Sequence, residues 1–394
     1  MRAASEALTD SNQAPLVTRM APLVSAIMPA YNAEQTIQRT IRSVLSQTYL
    51  NLELVVVDDG SSDATRAIAE GFAREDARVR VLSKPNEGVA RARNFGMVAA
   101  HGELIAPVDA DDLWHPSKIE KQVSVLADAR EDTAFVYTLF RTIDVRDHVL
   151  RSAPAYDLRG RVLSRHVFVN FVGNGSSMLM RRSAALEFGG YDASLQLRGA
   201  QGCEDLLLQL RMTSRYHVEV VPEYLVGYRR WPGSMSSDMA RMARSYVMAF
   251  DELRRECPQV PAPAFGWGIA PFIVDQALGA TRRGSPIRSL ALLSSALRHD
   301  ALGAMVHLGA RIGEQTRLLR GSLASRLAAT SAAPGQSTRY RRRLFHEYSP
   351  TEDVVEWPPS NLHKRRLARL ASVDEAAPSA PSTRPTPAYE SLHT

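Results

Sequence analysis

An α/β fold on a mostly parallel, doubly wound sheet is predicted by three features of the first half of the chain. Short apolar runs alternate with stretches of helical periodicity, the runs are apolar on both faces, and each ends in polar or acidic residues. Strands buried on both faces and separated by helices are the pattern of a parallel sheet covered on each side. In such sheets ligands bind beyond the carboxyl ends of the strands.

After a polar leader over residues 1–20, expected to be disordered, Leu23 to Met28 reads as a buried strand ending in the turn Pro29-Ala30-Tyr31-Asn32. Ile37, Ile41, Val44 and Leu45 recur at helical spacing, and Leu52 to Val57 is a second strand ending in Asp58-Asp59-Gly60-Ser61-Ser62-Asp63. A helix over 63–74, a strand over 79–82, a helix over 89–100 and a strand over 104–108 continue the alternation. The strand ends carrying Tyr31-Asn32, Asp58-Asp59 and Asp109 to Asp112 are therefore expected to share one edge.

Asp109, Asp111 and Asp112 place three carboxylates within four residues. Such a cluster is costly without a cation, because each charge raises the pKa of the others. Oxygen ligands without His or Cys favour Mg²⁺ or Mn²⁺, ions commonly completed by substrate phosphates, and this points to a diphosphate substrate. A polar loop capping the next helix is the structural alternative.

Residues 132–237 are expected to finish the sheet and form an acceptor-side half. Strands are read over 134–139, 176–180 and 218–226, with a glycine-rich loop from Gly189 to Gly202 that ends at Cys203-Glu204-Asp205 on a helix start. From local sequence a helix cap is the simpler account of the two carboxylates. A helix is expected over 239–256, and helical periodicity over 287–329 sets Leu308, Ile312, Leu319, Leu323 and Leu327 on one side.

Two cysteines, Cys203 and Cys257, cannot build a disulfide framework, and no Cys/His cluster suggests zinc. No signal peptide or membrane span is recognised, so a cytoplasmic chain is expected, with contact at the inner face of the membrane through 281–345. Over that segment twelve Arg face Asp300 and Glu314, a balance of +10, leaving −4 for the rest of a chain of net charge +6. The basic character argues for an anionic partner of this segment alone, and no nucleic acid is expected.

The strings VSAIMPAYNAEQTIQRTIRSVLSQTY, ELVVVDDGSSDAT, KPNEGVARARNFGMVAAHGELIAPVDADD, GGYD, CED and YRRWPGS, in this order and spacing, resemble inverting family 2 glycosyltransferases of the GT-A fold. The resemblance covers about Leu23 to Ser237. It marks a GT-A domain over 21–237 (nucleotide-sugar half 21–131, acceptor half 132–237), and periodicity, charge and composition add a helical basic extension over 238–345 and a mostly disordered tail over 346–394. It implies a nucleoside-diphosphate sugar donor, most simply a UDP- or dTDP-sugar, and a saccharide or lipid-linked acceptor.

Donor contacts are then expected at Pro29, Tyr31, Asn32, Asp59, Asn86, Arg93, Asp109, Arg229 and Arg230. Tyr31 offers a ring face to a base and Asp59 an acceptor for a base N–H, in preference to Asp58. Arg93, with Arg91 as the competing candidate, would reach a phosphate or sugar hydroxyl. Asp111, with Asp109 and Asp112, would hold the metal, and Asp205, beside Glu204, would be the general base. The chain departs from the commoner pattern at Arg230-Trp231, where a His is frequent. A sugar-1-phosphate nucleotidyltransferase is disfavoured by the lack of Gly or a cation in 29–32. An NAD-dependent oxidoreductase is disfavoured by the lack of G-x-G-x-x-G after a strand. A silent nucleotide-sugar-binding or scaffold protein remains the alternative.

Overall fold

The computed structural model describes residues 21–200, 202–231, 239–331, 343–355 and 360–377. Residues 1–20, 201, 232–238, 332–342, 356–359 and 378–394 lie outside these.

The chain opens with β1 (Val24–Ala30), α1 (Ile37–Leu45), β2 (Leu52–Asp58), α2 (Thr65–Glu75), β3 (Val79–Ser83), α3 (Val89–Ala99) and β4 (Leu104–Pro107), matching the expected alternation. Every residue of β1, β2 and β4 is buried, which explains why these strands read as unbroken apolar runs. Next come β5 (Leu113–Trp114), α4 (Lys118–Asp128), β6 (Thr133–Ile143), β7 (Val149–Ser152), α5 (Leu163–Phe168), β8 (Met178–Arg181), α6 (Arg182–Glu187), α7 (Ser194–Leu197), α8 (Glu204–Thr213) and β9 (His217–Arg229).

These strands form one nine-stranded sheet in the order β3-β2-β1-β4-β8-β6-β9-β5, with β7 on β6. Strands β3, β2, β1 and β4 are mutually parallel; β8 runs against β4 and β6, which turns β6 and its parallel neighbour β9 back into the common direction. Six of the nine strands thus point the same way, and the carboxyl ends of β1, β2 and β4 lie side by side. One apolar core packs α1 and α4 on one face of the sheet, and a second packs α3, α6 and α8 on the other.

Three helices follow: α9 (Met239–Glu256), α10 (Ala262–Arg282) and α11 (Pro286–Ser331). They build a third core with α5 and α8. Helix α10 was not expected, because Pro271 and three glycines interrupt its sequence. Gly266 and Gly268 instead allow close approach: a Cβ there would stand 2.5 Å from the His299 carbonyl and 2.2 Å from that of Val167. Helix α11 covers the predicted stretch but breaks at Asp300 (φ −163°, ψ 92°). Leu308 packs on the third core and Ile312 is exposed, so the expected stripe is not uniformly buried; the side chains of Leu319, Leu323 and Leu327 lie outside the described residues.

The tail expected to be mostly disordered from 346 is ordered over much of its described length. Helix α12 (Asn361–Ala376) packs on α5, where Asp374 accepts from the Ser164 amide at 2.7 Å, and Arg366 grips Asp300 at 2.5 and 2.9 Å. Upstream, fully buried Arg141 of β6 donates to the Ser349 carbonyl at 3.1 Å and lies between the rings of Tyr224 and Tyr348. Composition conceals such contacts, since a single buried cation can order a polar segment. No described helix is long and apolar enough to cross a membrane.

Candidate active site

A cleft of about 1560 Å³ opens at the carboxyl edge of the sheet. The parallel register of β1, β2 and β4 brings Pro29, Tyr31, Asn32, Asp59, Asp109 and Asp111 onto its wall, with Asn86 from the loop before α3. Tyr31 is 54% exposed, leaving its ring open to a stacking partner.

Asp58 turns away from the cleft to accept from the Ser61 amide at 3.2 Å, which leaves Asp59 as the cleft carboxylate. Asp59 already accepts from Lys84 Nζ at 2.9 Å and from the amides of Glu87 and Gly88 at 3.1 and 2.8 Å. Oδ2 takes just one of these bonds and retains capacity for one more donor. Gly88 makes its bond at φ +92°, a conformation that favours glycine.

Arg93 does not stand free to reach a donor phosphate, as the sequence suggested. It is 4% exposed, and its guanidinium bridges Asp109 Oδ1 at 2.5 Å and Glu204 Oε1 at 2.6 Å. Burial opposes its charge, but Asp109 and Glu204 outweigh this and hold its pKa well above the usual value. Arg91 pairs with Glu87 on the surface.

The three clustered carboxylates have different fates. Asp112 is fully buried; Oδ1 accepts from the Arg229 amide at 2.9 Å and Oδ2 from Ser176 Oγ at 2.6 Å, while Ser176 Oγ accepts from the Asp109 amide at 3.0 Å. The assignment of Asp112 as a metal ligand is therefore corrected: it knots the loop to β9 and to the turn before β8. Asp111 faces the cleft and accepts from Trp231 Nε1 at 3.2 Å. Burial, then the nearby Asp109 charge, pushes it up to about 6. Among the described residues no group of three or more His, Cys, Asp or Glu is placed to hold an ion. A divalent ion fits here only as the partner of Asp111, with Asp109 beside it and phosphate oxygens completing the shell.

Arg229 is likewise committed. Its Nε donates to the Asp111 carbonyl at 2.6 Å and its Nη1 to the Asp144 carbonyl at 2.5 Å; Nη2 lies 2.5 Å from Asp147 Oδ1, off the line of a good hydrogen bond. It braces the acidic loop and does not point at a leaving group. Arg230 is exposed on the cleft wall, where its charge suits a phosphate.

Helix α8 starts with Glu204 and Asp205, but neither side chain serves as its cap. The N-cap is Cys203 at φ 67°, and Asp205 Oδ1 accepts from the adjacent Leu206 amide at 2.8 Å. Burial, then Glu204, raises Asp205 to about 7 against the pull of Arg93. Glu204 is tied to Arg93, so the carboxylate with a proton affinity suited to base chemistry near neutrality is Asp205.

Sequence reasoning missed Ser176, which carried no cue beyond a strand pattern, and the bond from Trp231 to Asp111, although Arg230-Trp231 marked a departure from the usual pattern. It also missed the helical wall of the cleft, to which Tyr246, Phe272, Asp275, Leu278, Arg282 and Arg311 contribute.

Residues 25–188 match the family model for Glycosyl transferase family 2. The chain is 44% identical over 123 residues to the Escherichia coli UDP-Glc:alpha-D-GlcNAc-diphosphoundecaprenol beta-1,3-glucosyltransferase WfgD, covering 31% of this chain and 47% of that protein. It is 39% identical over 123 residues to the putative teichuronic acid biosynthesis glycosyltransferase TuaG of Bacillus subtilis, covering 31% and 48%. The chain thus spans about half the length of these curated relatives. The crystal structure of S. aureus TarS 1–349 in complex with UDP-GlcNAc superposes with a TM-score of 0.50 at 16% identity, over 74% of this chain and 92% of that one, and shares the GT-A fold.

Proposed function

We propose that this GT-A protein, whose residues 25–188 match the family model for Glycosyl transferase family 2, is a metal-dependent, inverting glycosyltransferase. It would move a sugar from a nucleoside-diphosphate sugar to an acceptor hydroxyl in the assembly of a cell-envelope glycan. The observation that carries this reading is Asp205, a cleft carboxylate raised to about 7 beside a Glu204 that is already paired.

Tyr31 stacks on the base of the donor, and Asp59 Oδ2 accepts a base N–H, a pairing that suits uracil or thymine. Asp111, with Asp109 beside it, would hold Mg²⁺ or Mn²⁺, which would supply positive charge against the donor diphosphate. Arg230 adds a cation on the same wall. Arg93 fixes Asp109 and Glu204 relative to each other and so sets the donor side against the acceptor side. Asp205 takes the proton of the acceptor hydroxyl as its oxygen attacks the anomeric carbon opposite the diphosphate, and a single displacement of this kind inverts configuration.

The names of the relatives motivate the envelope setting and a saccharide or lipid-linked acceptor. The reading extends to a peripheral membrane contact through 281–345. Its test is to screen UDP- and dTDP-sugars for binding with and without Mn²⁺, then to measure single-turnover transfer and the anomeric configuration of the product. Metal-independent binding or a retained configuration would overturn it.

A further inference from the structure

The cleft is larger than the roughly 300–1000 Å³ that holds one small ligand, and one of its walls comes from outside residues 25–188. Phe272, Asp275, Leu278 and Arg282 recur at intervals of three, three and four residues, so one face of α10 lines it. Tyr246 of α9 extends this face by stacking on Phe272, with ring centroids 5.1 Å apart.

The charge on this wall is not balanced. Asp275 is its one carboxylate, and it accepts from Arg311 Nε and Nη2 at 2.8 and 2.9 Å and from His307 Nε2 at 3.1 Å. Burial would raise Asp275, but these two partners outweigh it and hold the group down to about 2, so it stays ionised and matched. Arg282 lies on the same face in the last turn of α10, is exposed, and adds positive charge beyond the matched Asp275–Arg311 pair. Beyond it, Ile287 (85% exposed) and Leu290 (68% exposed) stand among exposed Arg283 and Arg288, so the surface past Arg282 is apolar and basic together.

Tyr246, Phe272 and Leu278 offer apolar surface around the matched Asp275–Arg311 pair, and with Arg282 beside them this wall is complementary to an anionic headgroup on a hydrocarbon chain. We propose that α9 and α10 form the acceptor wall of the cleft: Arg282 receives the phosphate or diphosphate of a lipid-linked acceptor, and Phe272 and Leu278 pack on its chain. This rests on the glycosyltransferase reading for the word acceptor, but the binding chemistry stands apart from catalysis.

The probe is farnesyl diphosphate, titrated by calorimetry into the full chain with UDP and Mn²⁺ saturating the donor side. Wild type is expected to bind it more tightly than inorganic diphosphate or farnesol. Arg282→Glu and Leu278→Asp should each weaken it by about tenfold or more, the scale of one charged contact. UDP affinity should stay unchanged in both variants, and the thermal midpoint should stay unchanged in Arg282→Glu. Unchanged farnesyl diphosphate affinity in both folded variants overturns the proposal. So does inorganic diphosphate binding equally well, which marks a free-phosphate site, or loss of binding when UDP saturates, which marks entry into the donor side. A loss seen only with phosphatidylglycerol vesicles would assign Arg282 to lipid headgroups instead and also overturn it. If farnesyl diphosphate behaves as expected while no nucleoside diphosphate binds, the donor reading fails and the wall stands.

Discussion

Arg93 and Glu204 meet at 2.6 Å although 111 residues separate them, and the same guanidinium holds Asp109 at 2.5 Å. The bridge joins the loop of the donor half to the helix that carries Asp205. Removing a buried charge from such a set strands its partners, at a typical cost of about 3–5 kcal/mol. Arg93→Met should therefore lower stability by roughly that amount in urea unfolding. A loss below about 1 kcal/mol would mean that the bridge is an exposed pair of little consequence.

Asp111 and Asp112 are neighbours with opposite expected behaviour. Asp111→Asn removes a charge that burial and Asp109 make costly, so the fold should persist while Mn²⁺-dependent UDP binding is lost. Asp112→Ala leaves the Arg229 amide and Ser176 Oγ without their acceptor, a loss of about 1–3 kcal/mol. Calorimetry and denaturant unfolding on both variants check the division, and metal-dependent UDP binding by Asp111→Asn at wild-type strength would refute it.

The donor half was legible because its strands are buried on both faces, and their ends declare the polar edge. Asp59 rather than Asp58, and Asp111 rather than Asp112, face the cleft. The two arginines were misread for a physical reason: sequence places a cation near carboxylates but does not say whether it faces solvent. Arg93 and Arg229 are both nearly or fully buried and used up by the protein itself. Helix α10 was hidden because its glycines look like breakers until the Val167 and His299 carbonyls are seen pressed against them. Ser176 and α12 act through long-range contacts that leave no local pattern.

The membrane contact proposed for 281–345 can be tested without deleting that segment. Deletion would strip α11 from α10 and expose Ala296 and Ala304, which are buried in the third core. Ile287→Ser with Leu290→Ser alters exposed side chains instead. Each insertion of such a side chain into an apolar phase is worth about 1.5–3 kcal/mol, so sedimentation with anionic vesicles should fall by tenfold or more. Equal sedimentation of variant and wild type would remove the membrane contact.

Asp205 makes the sharpest prediction because its proton affinity and its role are coupled. A base works only when deprotonated, so kcat/KM should rise with pH and level off above about 7. Glu204→Gln removes a charge that pushes Asp205 up and frees Arg93 to favour its ionised form, so the acid limb should move to lower pH. Asp205→Asn should keep UDP affinity and lose transfer by about 10²- to 10⁴-fold. Stability carries the same signature: the folded value of about 7 lies above the ordinary 3.8, so the folded state binds this proton more tightly. Its contribution is full below about pH 4 and is lost as pH rises through 7, a slope that Asp205→Asn should abolish in unfolding measured without donor or metal. A helix cap would instead leave Asp205→Asn active within a few-fold, since Asn caps about as well as Asp. An active Asp205→Asn with a silent Glu204→Gln would move the base to Glu204.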